Sequence, residues 1–220
     1  TISAGSVTVD QTAPASQKTQ GVVTTGGDNQ VAGYWNSGNT GVDITVPIAD
    51  DSSINGGTVQ LLVSTDGGGS FVPLDTPSTI SAVNTNKTIS VAGGVLEGVA
   101  GFGESDVLQF KATITDTSGN ATTGTVSDTT LTVDQTAATI STSSIASDNA
   151  TVTLAKTGDT VTLTIATNEN VSSPTVTFTS GGAAATNADT VSGASPGTSF
   201  TSAYTVDASD TDGTVAISIT

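Results

Sequence analysis

Val161, Leu163 and Ile165 are interleaved with Thr160, Thr162 and Thr164, and this period of two limits the chain more than any other feature. Successive side chains of a strand point to opposite faces, so such a run has one apolar face for a core and one hydroxyl-rich face for water. The same alternation runs through Leu108, Phe110, Ala112 and Ile114, and through Ile44, Val46 and Ile48. It returns at Val59, Leu61 and Val63, at Val176 and Phe178, and at Val215, Ile217 and Ile219. Asn-Gly, Asp-Gly and Gly-Gly pairs between the runs supply the positive φ that tight turns need. No helical stripe competes; Val95 to Phe102 is the one helix-tolerant stretch and is expected to be a loop with a single turn. The expected class is all-β, built as antiparallel Greek-key β-sandwiches.

A repeat places the boundaries. Thr-Val-Asp-Gln-Thr-Ala occurs at 8–13 and again at 132–137, each time at the end of an alternating run (Val7 and Val9; Leu131 and Val133). A last strand looks like this where it leaves one domain and becomes the linker to the next. Residues 1–10 are therefore expected to be the last strand of a preceding domain, 11–133 one sandwich, and 134–220 a second sandwich that stops before its last strand. The chain is expected to be a window cut from a longer repeat array.

The 220 residues carry 20 acids and four cations, all Lys, for a formal charge of −16. Such a surface repels nucleic acid and anionic membranes and draws cations. Cys, Met and His are absent, so thiol and imidazole nucleophiles and nitrogen or sulfur metal ligands are excluded. Any metal must be held by oxygen, which suits calcium or magnesium. Without His, Cys or Arg the chain also lacks a base-activated nucleophile, and no enzyme is expected. Asp50 and Asp51 are acids, but neighbours in sequence rarely bracket a glycosidic bond from both sides.

Residues 112–137, ATITDTSGNATTGTVSDTTLTVDQTA, resemble the end of a bacterial immunoglobulin-like domain, with an Asp-x-x-Gly-Asn turn and a closing Val-Asp-x-Thr-Ala-Pro. The first linker keeps that Pro (Pro14); the second has Ala138. Residues 146–178, 56–71 and 101–116 resemble other parts of the same domain type. The resemblance implies tandem immunoglobulin-like β-sandwiches acting as extenders in large bacterial surface adhesins, in an extracellular or cell-surface setting, with neighbouring repeats of the same chain as partners and no insertion into a membrane.

In such a sandwich the incoming linker shares a pole with the loops after the second, fourth and sixth strands. In the first domain that pole gathers Asp10, then Asp50, Asp51 and Asn55, then Asp116 and Asn120: a candidate calcium site. In the second domain Asp134 is expected to meet Asn168, Glu169 and Asn170, and the facing pole of the first domain offers Asp66, Glu104 and Asp106. A calcium ion held there would lock the domains together. The competing expectation is turn chemistry alone, because Asp in a turn commonly caps its own backbone.

Two other functional classes stay open. Adjacent Tyr34 and Trp35 point to opposite faces of a strand, so one is expected in the core and the other exposed, and an exposed ring is a candidate platform for a glycan or host ligand. The orphan strand at 1–10 and the incomplete second sandwich also permit self-assembly into an S-layer or filament by strand exchange. The Asp-rich run at 208–213 echoes a calcium loop but lacks the required Glu, and is expected to be an Asp-Gly turn.

Overall fold

The computed structural model describes residues 5–27, 30–188 and 190–220. The chain divides into two units between Thr136 and Ala137. Residues 1–4 of the expected leading strand lie outside the described residues, and residues 5–13 form no strand.

The first unit contains β1 (Gln20–Thr25), β2 (Tyr34–Trp35), β3 (Gly41–Ile48), β4 (Thr58–Ser64), β5 (Val72–Thr79), β6 (Thr85–Ala92), α1 (Gly93–Glu97), β7 (Val107–Thr115), β8 (Ala121–Thr123) and β9 (Leu131–Val133). One sheet runs β1-β3-β6 and the other β2-β9-β7-β4-β5, with β8 paired to β7. The inward stripes Val42, Ile44 and Val46 of the first sheet and Val59, Leu61, Val63 and Phe110 of the second belong to one buried cluster, so the sheets face each other across a shared core. The chain passes from β3 in one sheet to β4 in the other, returns from β5 to β6, and crosses again to β7. This is the strand order of an immunoglobulin-like Greek-key sandwich. The expected single turn is α1, five residues long and starting two residues before the predicted stretch.

One pairing departs from the antiparallel expectation. β2 lies parallel to β9, with Tyr34 opposite Thr132 and Trp35 opposite Val133. The chain leaves β1 on one sheet at Thr25 and reaches β2 on the other at Tyr34. Gly27 there has φ +77, and a Cβ at that position would lie 1.6 Å from the Gly38 carbonyl oxygen, so only glycine fits.

The second unit contains β10 (Ile140–Ser147), β11 (Thr160–Val171), β12 (Val176–Ser180), β13 (Ala183–Ala184), β14 (Gly197–Thr205) and β15 (Val215–Ile219). Its sheets run β10-β11-β14 and β13-β12-β15. The order repeats β1-β3-β6 and β5-β4-β7 of the first unit. Register agrees as well: Ile114 sits opposite Val59 on β4, and Ile219 opposite Val176 on β12. The core is smaller, centred on Val161, Leu163, Ile165, Phe178, Phe200 and Tyr204, with Phe178 and Tyr204 rings tilted at 5.3 Å. The second edge of β15 has no strand partner among the described residues.

Of the five phenylalanines, Phe110, Phe178 and Phe200 are buried. Phe102 packs against the first core from its margin. Phe71 is half-buried, with the Lys111 ammonium 3.8 Å from its ring centre.

Trp35 is the only tryptophan and is fully buried in the first unit, so its fluorescence reports that unit. Phe110→Ala is expected to lower the stability read by Trp35 fluorescence in urea by about 3–5 kcal/mol, the usual loss for emptying a buried aromatic site.

Candidate functional site

The Asp116-Thr-Ser-Gly-Asn120 turn joins β7 to β8 and forms one pole of the first unit. Asp116 is buried, and its Oδ1 accepts from the backbone N–H groups of Ser118 at 2.9 Å and Asn120 at 2.8 Å. Its Oδ2 accepts from Asn120 Nδ2 at 3.0 Å. These bonds hold the carboxyl below the usual carboxylate range, with the Asn120 amide the largest cause and the turn N–H groups adding to it.

Two other segments meet this turn. Asn120 Nδ2 also donates to the Asp10 carbonyl oxygen at 3.3 Å, and Thr117 donates to the Ser53 carbonyl through its N–H and its hydroxyl, both at 3.3 Å. The linker and the loops after β3 and β7 therefore converge as expected, but backbone oxygens and amides make the contact. The Asp10 carboxylate turns onto the N–H of Thr12 at 3.0 Å. Asp51 caps the 3-10 turn Ser52–Ile54, taking the Ser53 N–H at 2.9 Å and hydroxyl at 2.7 Å. Asn55 closes that turn with its own N–H, and Asp50 is exposed beside it.

At the other end of the first unit, Asp66 organises the β4–β5 hairpin tip. Its Oδ1 accepts from the Ser64 hydroxyl at 2.5 Å and the Ser70 N–H at 3.0 Å, and its Oδ2 from the Ser70 hydroxyl at 2.9 Å. The Ser64 hydroxyl first, and then Ser70, push its pKa well below the usual value. Glu104 accepts from the Gln135 N–H at 2.8 Å, and Glu97 accepts from Gln135 Nε2 at 2.8 Å and from Trp35 Nε1 at 3.1 Å. The Asp134 N–H donates to the Trp35 carbonyl at 2.8 Å. Asp106 is half-buried, and its Oδ2 has no hydrogen-bond partner.

In the second unit Asn168, Glu169 and Asn170 belong to β11, at the irregularity between Ala166 and Val171, and not to a separate loop. Thr139 donates to Asn168 Oδ1 at 2.6 Å, and Asn168 returns its N–H to the Thr139 carbonyl at 3.1 Å, so the start of this unit meets the expected segment through an amide. Glu169 is half-buried, with Oε1 lacking a hydrogen-bond partner.

No three acidic side chains come together at a distance suited to a metal ion among the described residues. The residues expected to be ligands fit an ion poorly as they stand, because Asp10, Asp51, Asp66 and Asp116 already spend carboxylate oxygens on neighbouring donors. Trp35 supplies the buried member of the aromatic pair and Tyr34 the exposed one. A two-ring ligand platform is not formed.

Two features went unread in the sequence. Gln135, in the second hexapeptide, clamps the outgoing chain to Glu97 and Glu104. Asp159, nearly buried, accepts from Asn149 Nδ2 at 2.6 Å, from the Lys156 N–H at 2.9 Å and from Lys156 Nζ at 2.6 Å. Its signal is the Gly158-Asp159 pair closing the loop that Asp148-Asn149 opens.

Among solved structures, two marsupial T cell receptor chains resemble this one: one is 13% identical with a TM-score of 0.30 over 87% of this chain and 86% of the receptor chain. The other is 11% identical with a TM-score of 0.31 over 93% and 99%. No protein-family model matches the chain, and no curated protein sequence matches it. No helix among the described residues is long and apolar enough to cross a membrane.

The Asn149 amide, with Lys156, lowers the Asp159 pKa from 3.8 to about 2. A depressed folded pKa stabilises the fold fully above the unfolded value and loses that contribution as pH falls through the folded one. Asp159→Asn is therefore expected to lower the midpoint of thermal unfolding at neutral pH, with a deficit that is constant down to roughly pH 5 and closes toward pH 2. Paired thermal melts of wild type and variant across that range check it.

Proposed function

We propose that the chain is a non-catalytic structural segment, a run of bacterial immunoglobulin-like extender repeats from a large extracellular or cell-surface adhesin. The observation that carries this reading is the double use of the second hexapeptide. Leu131, Thr132 and Val133 close the first sandwich as β9, and Gln135 two residues later ties the departing chain to Glu97 and Glu104. A strand that completes a domain and then pins the exit from it is what a load-transmitting repeat requires. The repeated strand order of the two units and the resemblance of residues 112–137 to a domain end support the same reading.

Carboxylates spent on turns and caps also fit a structural role better than catalysis. Asp66, Asp116 and Asp159 accept hydrogen bonds that stabilise hairpin tips and loops. The charge of −16 keeps such a surface soluble and away from nucleic acid. Calcium enters this proposal as an ion that would have to draw Asp10, Asp116 or Asp106 away from their present positions, and the proposal does not depend on it. A carbohydrate-binding role is less well supported, because only Tyr34 of the aromatic pair is accessible.

Thermal melts and small-angle scattering in calcium and in excess chelator test both parts. An extender is expected to keep one fixed maximum dimension at all protein concentrations free of association. A distance distribution of two independently tumbling bodies counts against it. A melting temperature several degrees higher in calcium supports an ion in the joint, and equal melts assign the joint to hydrogen bonds alone.

A further inference from the structure

β6 ends its sheet in the first unit, and no strand pairs with its other side among the described residues. All eight of its residues, Thr85–Ala92, pair with β3 in an unbroken register. A long, regular edge of this kind presents a row of main-chain N–H and C=O groups to any other strand. The other edges of the first unit are each interrupted in the backbone. β1 has a register shift at Gly21, β5 carries Pro73 and Pro77 with Asp75 at φ +59, and β2 is two residues long. β6 has neither proline nor bulge, and it has Lys87.

Register gives the direction of that side chain. Directly opposed residues of an antiparallel pair share a face, and Lys87 lies opposite Val46, which is wholly buried in the core. Ile89 and Val91, opposite Ile44 and Val42, take the same inner face and belong to the core or its margin. Thr88 takes the outer face, where its hydroxyl meets that of Thr45 at 3.3 Å. Lys87 is thus a charge on the core-facing side of an edge strand, half-buried and in no ion pair among the described residues. Its ammonium reaches water only by passing out over the edge.

The second unit supplies the comparison. β14 holds the place of β6, with Thr205 opposite Thr160 as Ala92 is opposite Gly41. Counted back from those pairs, Phe200 opposite Ile165 stands where Lys87 stands opposite Val46. Phe200 is buried, and the far edge of β14 is covered. Thr201 and Ser192 exchange backbone hydrogen bonds at 2.8 Å, and the Thr205 N–H donates to the Asn187 carbonyl at 3.2 Å. Where the edge is covered the position is aromatic, and where the edge is bare it is charged.

We propose that Lys87 keeps β6 from pairing with β6 of a second copy of this chain. A two-fold antiparallel pair of these strands has to match inner face with inner face. The two such registers of greatest overlap set Lys87 opposite Ile89 or opposite Val91 of the copy. Either one closes the edge over the ammonium and strips its water without offering a carboxylate. The contact is self-complementary, so the cost falls on both copies. Without the charge, the same edge offers a second copy an uninterrupted row of main-chain partners and the apolar pair Ile89 and Val91. The inference stands on the first unit alone and does not depend on the function proposed above.

Sedimentation velocity of the full chain from ~1 μM to ~1 mM in ~0.15 M salt, with hydrogen–deuterium exchange of residues 85–92 at both ends of that range, tests it. The wild type is expected to exchange equally in 85–92 at both concentrations. Lys87→Ile is expected to dimerise, with exchange in 85–92 slowed roughly tenfold or more at the high concentration, although the substitution makes the chain more negative. Lys87→Thr removes the charge with a side chain that Thr85 already carries on the same face; it is expected to act the same way and decides the matter if Trp35 fluorescence shows the Ile variant misfolded. Lys87→Arg keeps the inner charge, and Thr88→Ile adds the apolar side chain on the outer face; both are expected to behave as wild type. A wild type protected in 85–92 at high concentration, folded charge-free variants that stay monomeric, or a Thr88→Ile variant that dimerises as Lys87→Ile does each overturns the proposal.

Discussion

Everything in both units hangs on the inward stripe of alternating apolar side chains. The outer faces of these sheets are mostly Thr and Ser, which hydrogen-bond to water as readily as to each other, so they add little to hold two sheets together. Apolar area removed from water, at about 25 cal/mol per Å², must therefore supply most of the driving force. The first unit concentrates it in a core with Trp35, Phe110, Ile44 and Leu61 wholly inside. The second has fewer buried residues, and Val176, Val215, Ile217 and Ile219 pack only at its margin. The first core also takes in Trp35 from β2, Leu96 from α1, and Leu131 and Val133 from β9.

A chain with so few cations cannot use ion pairs to fix its loops. Among the described residues the salt bridges are Lys18–Asp128 and Lys156–Asp159. Asp10, Asp51, Asp66, Asp116 and Asp207 instead turn onto hydroxyls and backbone N–H groups within a few residues. Asp116 with Asn120, Asp66 with Ser64 and Ser70, and Asp207 with Ser209 are the same device, and in all three the carboxyl pKa falls because its charged form is the hydrogen-bond acceptor. A high acid content is thus compatible with well-defined loops, because hydroxyls, amides and backbone N–H groups take up the carboxylate oxygens.

How much of this was legible depended on where the apolar residues point. β3, β4, β7, β11, β12 and β15 carry the alternation openly and were readable from it. β14 was not, because Ser202 lies inward between Phe200 and Tyr204 and breaks the pattern. β10, Ile140–Ser147, is exposed at all but its last residue and has no stripe to see. β5 carries Pro73 and Pro77, which suit an edge strand but disguise it as a loop. At the pole, the convergence of the loops was readable from topology, whereas the atoms making the contacts were not. Whether an Asp faces a neighbouring loop or its own backbone is decided by the geometry of its turn, and residue type does not encode that.

The two hexapeptides show the same limit from the other side. In the second copy Val133 is buried, Asp134 donates its N–H to the Trp35 carbonyl, and Gln135 reaches two glutamates. In the first, Val9 and Gln11 are exposed and Asp10 caps Thr12. Thr132 and Val133 are paired in β9, while their counterparts Thr8 and Val9 belong to no strand. What the hexapeptide does encode is an alternation that can be buried, followed by a polar pair that can anchor the exit. The Asp drew attention because it is charged, yet in the structure the residue that binds the outgoing chain to its domain is the neutral Gln beside it, whose amide and backbone N–H donate to two carboxylates at once.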